Sequence, residues 1–472
     1  MNSNINISEE VILFDWIIFS LILLITFTFV FIGNYRQKKQ TKDKPTLIDH
    51  LVMGRQLTLP LFVGTLVATW YGGIFGVTQI AFEKGIFNLI TQGGFWYLSY
   101  LIFAFFLVDK VSRYEALTLP DLIGKMFGPK SSKVASLFNF FNVLPIAYTI
   151  GIGIFIQSLS GWSLNISMLV GLIIVLSYSL KGGLRSVVLS DMIQFYTMCT
   201  GVFAVLAFSI FKFGGLSFLQ EKLPDHYFSL TSDVGLLPTL VWGFIALSTL
   251  VDPNFYQRCF AAHSPKVAKK GIIISTLIWF CFDICTTFGA MYARAVIPDA
   301  QSSQGYLIYA LQLLPHGMKG FFLAAILATI LSTLDSYLFL AGATLSFDLN
   351  HEATKKRPYL HALGIISVAI ISIIMANLFS GNIKLVWKTL GSYSAGCFLF
   401  PVLYGHFSKR RIADNIFVGA CLTGVVTMTT WSLIGRYGIW AQIDSLYIGV
   451  LATSLFLFIS GFFHTQHKSN PA

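Results

Sequence analysis

The sequence predicts an all-α, multi-pass membrane protein of about thirteen helices. Three observations lead there. Of 472 residues, 55% are hydrophobic and only 11% are charged. Apolar runs of about 20 residues, the length a helix needs to cross a hydrocarbon core, recur along the whole chain. The charged residues collect in the short polar stretches between those runs, the longest about twenty-odd residues, so no soluble domain is expected.

The runs fall at about 11–33, 57–82, 86–108, 132–158, 163–180, 185–212, 234–252, 270–295, 318–347, 359–379, 383–407, 413–434 and 441–463. The first ends in "NYRQKKQTKDKP", whereas residues 1–10 carry two glutamates and no Lys or Arg. The positive-inside rule therefore puts the N-terminus outside. This run is too long for a removable signal peptide and lacks a small-residue cleavage site, so it is expected to stay as a helix. Counting inward from it, the inner loops carry "DKVSRYEALTLPDLIGKMFGPKSSK", "KGGLR", "YQRCFAAHSPKVAKK", "LNHEATKKRP", "SKRRIADN" and the tail "HTQHKSN". Together with the first loop through Arg55 they hold 24 of the 32 Lys and Arg residues. The net charge of +11 thus follows topology and does not call for nucleic acid. The chain is expected in the cell (inner) membrane with its C-terminus cytoplasmic. Residues 1–50 read as an outer N-terminus, leading helix and basic loop, 51–410 as the core, and 411–472 as two closing helices with a short tail. Cys281 and Cys285 share a helix face with no His or Cys partner at metal spacing, and the six cysteines are read as packing residues.

Two runs are interrupted. The second carries "ATWYGGIFG" and the seventh ends in "STLVDPNFYQR", where Asp252-Pro253 breaks the pattern. Glycine weakens a helix and proline removes a donor, so in lipid the freed backbone groups need protein, ions or ligand. The two breaks are five helices apart, the offset an inverted repeat of five plus five helices produces, and a binding site is expected where they meet. The competing role for Gly72 and Gly73 is close helix packing.

The ninth run contains "AAILATILSTLDSYLFLAGATLSFD", in which Thr329, Ser332 and Thr333 fall on one helix face at i, i+3 and i+4. Hydroxyls facing an unwound helix suit a hard cation such as sodium; bonding back to the preceding turn is the alternative use. Intramembrane carboxylates need partners, which singles out Asp191, Asp252, Asp283 and Asp335. Arg185, six residues before Asp191, is a candidate partner at the membrane edge. Trp70 and Asp252 would face one cavity from opposite repeats, and an indole with a carboxylate can host an organic cation. Trp70 is equally suited to stack on a sugar or to close an apolar gate.

The motifs "MGRQLTLPLFVGTLVAT", "GGLRSVVLSDMIQ", "FYQRCFAAHSPKVAKKG" and "LAAILATILSTLDSYL" together resemble the sodium:solute symporters from about residue 50 to 410. The resemblance implies a LeuT-type inverted-repeat core preceded by one extra helix. It further implies sodium ligands at the carbonyls of Ala68, Tyr71 and Thr329 and the hydroxyls of Ser332 and Thr333, with Asp191 in support. Solute contacts map to the first break at Trp70, Gly72 and Gly73, to Gln92, and to Asp252. The "ATW-GG" break is most similar to the choline-carrier branch, but where that branch places a tryptophan before "QR" this chain has Asp252. An amine-bearing solute is therefore expected, with a polyhydroxylated one accepted by Asp252 and Gln92 as the alternative; sugar, amino acid and monocarboxylate carriers also occur in the family.

The expected activity is sodium-coupled uptake of a small organic solute across the lipid bilayer, with no obligate protein partner. A transporter-like sensor is the alternative from another class, disfavoured by a tail of only nine residues from His464. No filter-like repeated loop indicates a channel. No His or Ser constellation with a base and an orienting group indicates an enzyme.

Overall fold

The computed structural model describes residues 10–40, 46–180, 183–349, 359–408, 410–434, 437, 440, 443–463 and 466–467, with the side chains of 33–40, 410–411, 461–463 and 466–467 set aside. Eight of the 24 basic residues expected in the inner loops, Lys42, Lys44, Lys181, Lys355, Lys356, Arg357, Lys409 and Lys468, lie outside the described residues.

The leading helix α1 (Leu13–Gln40) is followed by a broken pair, α2 (Leu59–Ala68) and α3 (Ile74–Lys84). Next come α4 (Leu89–Tyr114), the pair α5 (Pro129–Asn142) and α6 (Ile146–Ser160), then α7 (Leu164–Ser179) and α8 (Gly183–Phe213). A further broken pair, α9 (Leu236–Leu247) and α10 (Pro253–Ala261), precedes α11 (Pro265–Val296) and α12 (Met318–Asp348). The helices α13 (Tyr359–Leu378), α14 (383–407), α15 (Asp414–Leu433) and α16 (Ser445–Phe463) complete the chain. Each expected apolar run corresponds to a helical segment, and both expected breaks are present.

One break went unforeseen. The run at 132–158 reads as continuous, yet it is interrupted between Asn142 and Ile146. Pro145 lacks an N–H and clashes with the preceding turn, which is the signal that marked Pro253. A second correction concerns Arg258. It counts among the inner-loop cations by sequence, but it lies within α10 and is 1% exposed.

The bundle is layered around α12, whose most apolar stretch is entirely buried. Close approach to its neighbours uses small residues, as expected where lipid supplies no hydrophobic drive for helix association. A Cβ on Gly201 of α8 would lie 2.4 Å from Ala325, and one on Gly364 of α13 would lie 2.8 Å from the Gly342 carbonyl. By contrast α1 turns Leu13, Leu24 and Phe31 outward, the arrangement of a peripheral lipid-facing helix. Its buried Asp15 accepts bonds from the Gly317 N–H at 2.5 Å and from His316 at 3.0 Å, pinning α1 to the start of α12.

Candidate functional site

The first break runs from Thr69 to Gly73, between α2 and α3. Its freed backbone groups are met by side chains of α12. Ser332 Oγ donates to the Ala68 carbonyl at 2.8 Å and to the Thr329 carbonyl at 3.1 Å. Thr333 Oγ1 lies 3.3 Å from both carbonyls and accepts the Gly72 N–H at 2.7 Å. Four of the expected sodium ligands, at Ala68, Thr329, Ser332 and Thr333, therefore converge, all in residues fully buried. Tyr71, the fifth, stands beside this cluster in the chain. Its hydroxyl reaches the Trp279 carbonyl at 3.3 Å and its ring packs on Phe282 with centroids 4.0 Å apart.

The glycines of this break serve space, not unusual torsion angles. None of Gly72, Gly73 and Gly76 adopts a positive φ. A Cβ on Gly72 would lie 2.4 Å from Thr333 Cβ and 2.8 Å from the Tyr148 ring; one on Gly73 would lie 1.9 Å from the Trp387 indole. Gly72, expected at the solute, is thus on the α12 side of the break and does not line the cavity, whereas Gly73 does.

The second break is built differently. The chain leaves α9 through a 3-10 turn at Ser248–Val251, and Asp252 takes an extended conformation (φ −79°, ψ 121°). Asp252 caps α10: its Oδ1 accepts the Asn254 N–H at 2.8 Å, and Pro253 occupies the first helical turn, where a missing N–H costs nothing. The Tyr256 hydroxyl donates to the Leu250 carbonyl at 2.9 Å.

Between the breaks lies a cavity of about 120 Å³ whose wall includes Trp70, Gly73, Gln92 and Asp252. Five tryptophans and five tyrosines line it together with two carboxylates, Asp252 and Asp283, and its lining holds no Lys, Arg or His. Trp70 meets Trp96, Tyr100 and Phe255 edge-on at centroid distances of 5.5–5.6 Å. Trp96, Trp242, Trp279, Trp387 and Asp283 were not assigned to the site by sequence, because nothing local in the chain brings α4, α9, α11 and α14 to one wall. Gln92 carried a signal of its own: it sits in a π-helical turn, Leu89–Gly94, a deviation frequent at functional sites.

Asp191 is fully buried, and its partner is Thr65, whose hydroxyl donates to it at 2.5 Å, not the expected Arg185. The Arg258 guanidinium in turn donates to Thr65, Thr69 and Ser336 at 3.2, 2.7 and 3.0 Å, and to Asn254 at 3.0 Å. Asp191 and Arg258 thereby join α2, α8, α10 and α12 beside the hydroxyl cluster, through hydroxyls and not through a direct ion pair.

Comparison with known proteins places the chain in a family. The chain is 24% identical over 364 residues to a sodium/pantothenate symporter of Escherichia coli (strain K12), covering 72% of this chain and 74% of the relative. It is 24% identical over 413 residues to the sodium/myo-inositol cotransporter 2 of Mus musculus, covering 74% of this chain and 59% of that longer protein. A solved structure of a Na+-coupled sialic acid symporter, in a substrate-bound outward-open state, matches with a TM-score of 0.75 at 17% identity, over 96% of this chain and 99% of that one. This last likeness bears on the fold alone and identifies it as LeuT-type. The model of the sodium:solute symporter family matches residues 50–424. The chain is a member of the sodium:solute symporter family, a multi-pass membrane carrier that couples the movement of a small solute to sodium.

Proposed function

We propose that this carrier takes up an amine-bearing, cationic solute. The observation that supports this reading is the cavity wall: Trp and Tyr faces with Asp252 and Asp283, and no basic side chain. An ammonium over an aromatic face gains about 0.5–2 kcal/mol, more as the site is desolvated. An anion would meet two carboxylates with nothing in the lining to offset them. Trp70, Gly73 and Gln92 form the wall, and Asp252 supplies charge while capping α10.

Sodium is assigned to Ala68, Tyr71, Thr329, Ser332 and Thr333, with Asp191 holding α2 from behind. The donor set is carbonyl and hydroxyl oxygen, which suits a hard cation. To bind it, Ser332 and Thr333 rotate their protons away from the Ala68 and Thr329 carbonyls and present lone pairs. The ion then bridges the broken first helix to α12. Coupling requires sodium to bind the outward-open state better, which shifts the population toward the form that accepts solute. The inverted-repeat core is assigned to residues 51–410, with the N-terminus outside and the C-terminus cytoplasmic in the cell membrane.

The test is a thermal-shift and uptake screen of amines, amino acids, sugars and carboxylates with and without sodium. Cationic amines should stabilise the protein, and Asp252→Asn should weaken all of them alike. Sugar or carboxylate hits unaffected by that substitution would overturn the amine reading. A polyhydroxylated solute is the second reading, favoured by the buried, unpartnered Gln92 Nε2 on the cavity wall and by the relative named for myo-inositol.

A further inference from the structure

We infer that Asp283 accepts an N–H of the solute's ammonium group, so that the carrier prefers amines that keep an N–H over their fully methylated analogues. The inference rests on the amine reading above and adds a residue and a selection rule to it.

Asp283 lies on α11 one turn after Trp279, lines the cavity and is 2% exposed. One carboxylate oxygen receives the Tyr97 hydroxyl, while Oδ1 is buried without a hydrogen-bond partner. The Tyr71 hydroxyl also interacts with the same carboxylate, without closing a hydrogen bond to Oδ1, and meets the Trp279 carbonyl at 3.3 Å. A buried acceptor left without a donor is costly, and inside a membrane a carboxylate in that condition marks a pathway or a ligand contact. Asp252 differs, since it already has a structural partner in the Asn254 N–H.

The π-helical turn of α4 presses against Asp283. A Cβ on Gly93 would lie 3.3 Å from Asp283 Oδ2 and 2.8 Å from the Tyr97 hydroxyl. The preceding residue, Gln92, has its own amide nitrogen buried and unpartnered. The cavity wall therefore offers an unfilled acceptor on α11 and an unfilled donor on α4. The aromatic faces respond to charge and do not distinguish N–H from N–CH3. A lone buried oxygen does: a primary, secondary or tertiary ammonium supplies its proton, whereas a quaternary one leaves it unpaired. Sites built to pair a donor reject the analogue lacking it for this reason.

The probes are ethanolamine and its N-methyl, N,N-dimethyl and N,N,N-trimethyl derivatives, applied to the purified full chain in sodium, with the concentration for half-maximal thermal stabilisation as readout. The N–H-bearing members should bind at least about tenfold more tightly than the trimethyl compound. Asp283→Asn should compress that ratio to less than about threefold, with stabilisation by sodium alone as the check that the variant is folded. Should that variant not fold, Tyr97→Phe leaves a second oxygen seeking a donor and should widen the ratio. A ratio unchanged in the folded variants, or a wild type that favours the trimethyl compound, overturns the inference and leaves the amine reading standing. Failure of every member to bind the wild type overturns the amine reading itself.

Discussion

The two helix breaks face one cavity but satisfy their backbones by opposite means. The second is self-contained: Asp252 caps the helix that follows it, Pro253 starts that helix without an N–H, and Tyr256 reaches back to the Leu250 carbonyl. The first depends on another helix, since Ser332 and Thr333 of α12 hold the Ala68 carbonyl and the Gly72 N–H. Under the proposed sodium assignment the two bonds to the Ala68 carbonyl are ones the ion would replace, and none at the second break is. On that proposal an ion changes the connection between α2 and α12, while the second break, held by its own residues, stays as it is.

The sharpest way to break this contrast is to remove both α12 hydroxyls. Ser332→Ala combined with Thr333→Ala should abolish sodium-dependent uptake and sodium-induced thermal stabilisation while the protein still inserts in the membrane; persistence of either sodium response would refute the ligand assignment. Next in size is Gly72→Ala, which forces a methyl to within 2.4 Å of Thr333. Overpacking of this kind costs about 1–3 kcal/mol, and a lowered melting temperature should accompany a weaker sodium response. Asp252→Ala should cost about 0.5–2 kcal/mol through loss of the cap, whereas Asp252→Asn retains a good capping residue and should lose amine affinity with little change in stability. Equal melting temperatures for the two variants would show that the cap contributes nothing.

The smallest effect belongs to Lys84 and Asp233, which tie the end of α3 to the loop before α9 at 2.5 Å. The bond from Lys84 holds the Asp233 carboxyl below its ordinary value. Its contribution is therefore complete above the ordinary carboxylate range and lost as pH falls through the lowered value. Because the pair is exposed, Asp233→Asn should shift the melting temperature least of these changes, and the difference from wild type should vanish in acid.

Apolar run length and the Gly and Asp-Pro interruptions made the helices and both helix breaks legible, and the i, i+3, i+4 hydroxyls were visible as a face. Other features were not, each for a physical reason. Arg258 reads as a loop cation because a charge next to an apolar run normally marks its aqueous end; only the hydroxyls of Thr65, Thr69 and Ser336, distant in sequence, make its burial tolerable. Trp387 explains why residue 73 is glycine, but the two meet only after α3 and α14 pack. By sequence Asp283 is a carboxylate in need of a partner, and the chain alone does not reveal that Tyr97 supplies one and leaves an oxygen over. Pro145 is legible by the same rule as Pro253, but the apolar residues on both sides of it mask the break.

The complete burial of α12 has a consequence for how substitutions will be tolerated along the chain. A helix with one lipid face tolerates exchange among apolar residues in a periodic pattern, one permissive position per turn or so. Helix α12 has no such face, from Phe322 to Ala343. Saturation mutagenesis should therefore register it as an unbroken block of intolerance, in contrast to the periodic permissiveness of α1. A single residue inserted between Phe322 and Thr329 would rotate the remainder by about 100° and turn the Ser332 and Thr333 hydroxyls away from the first break.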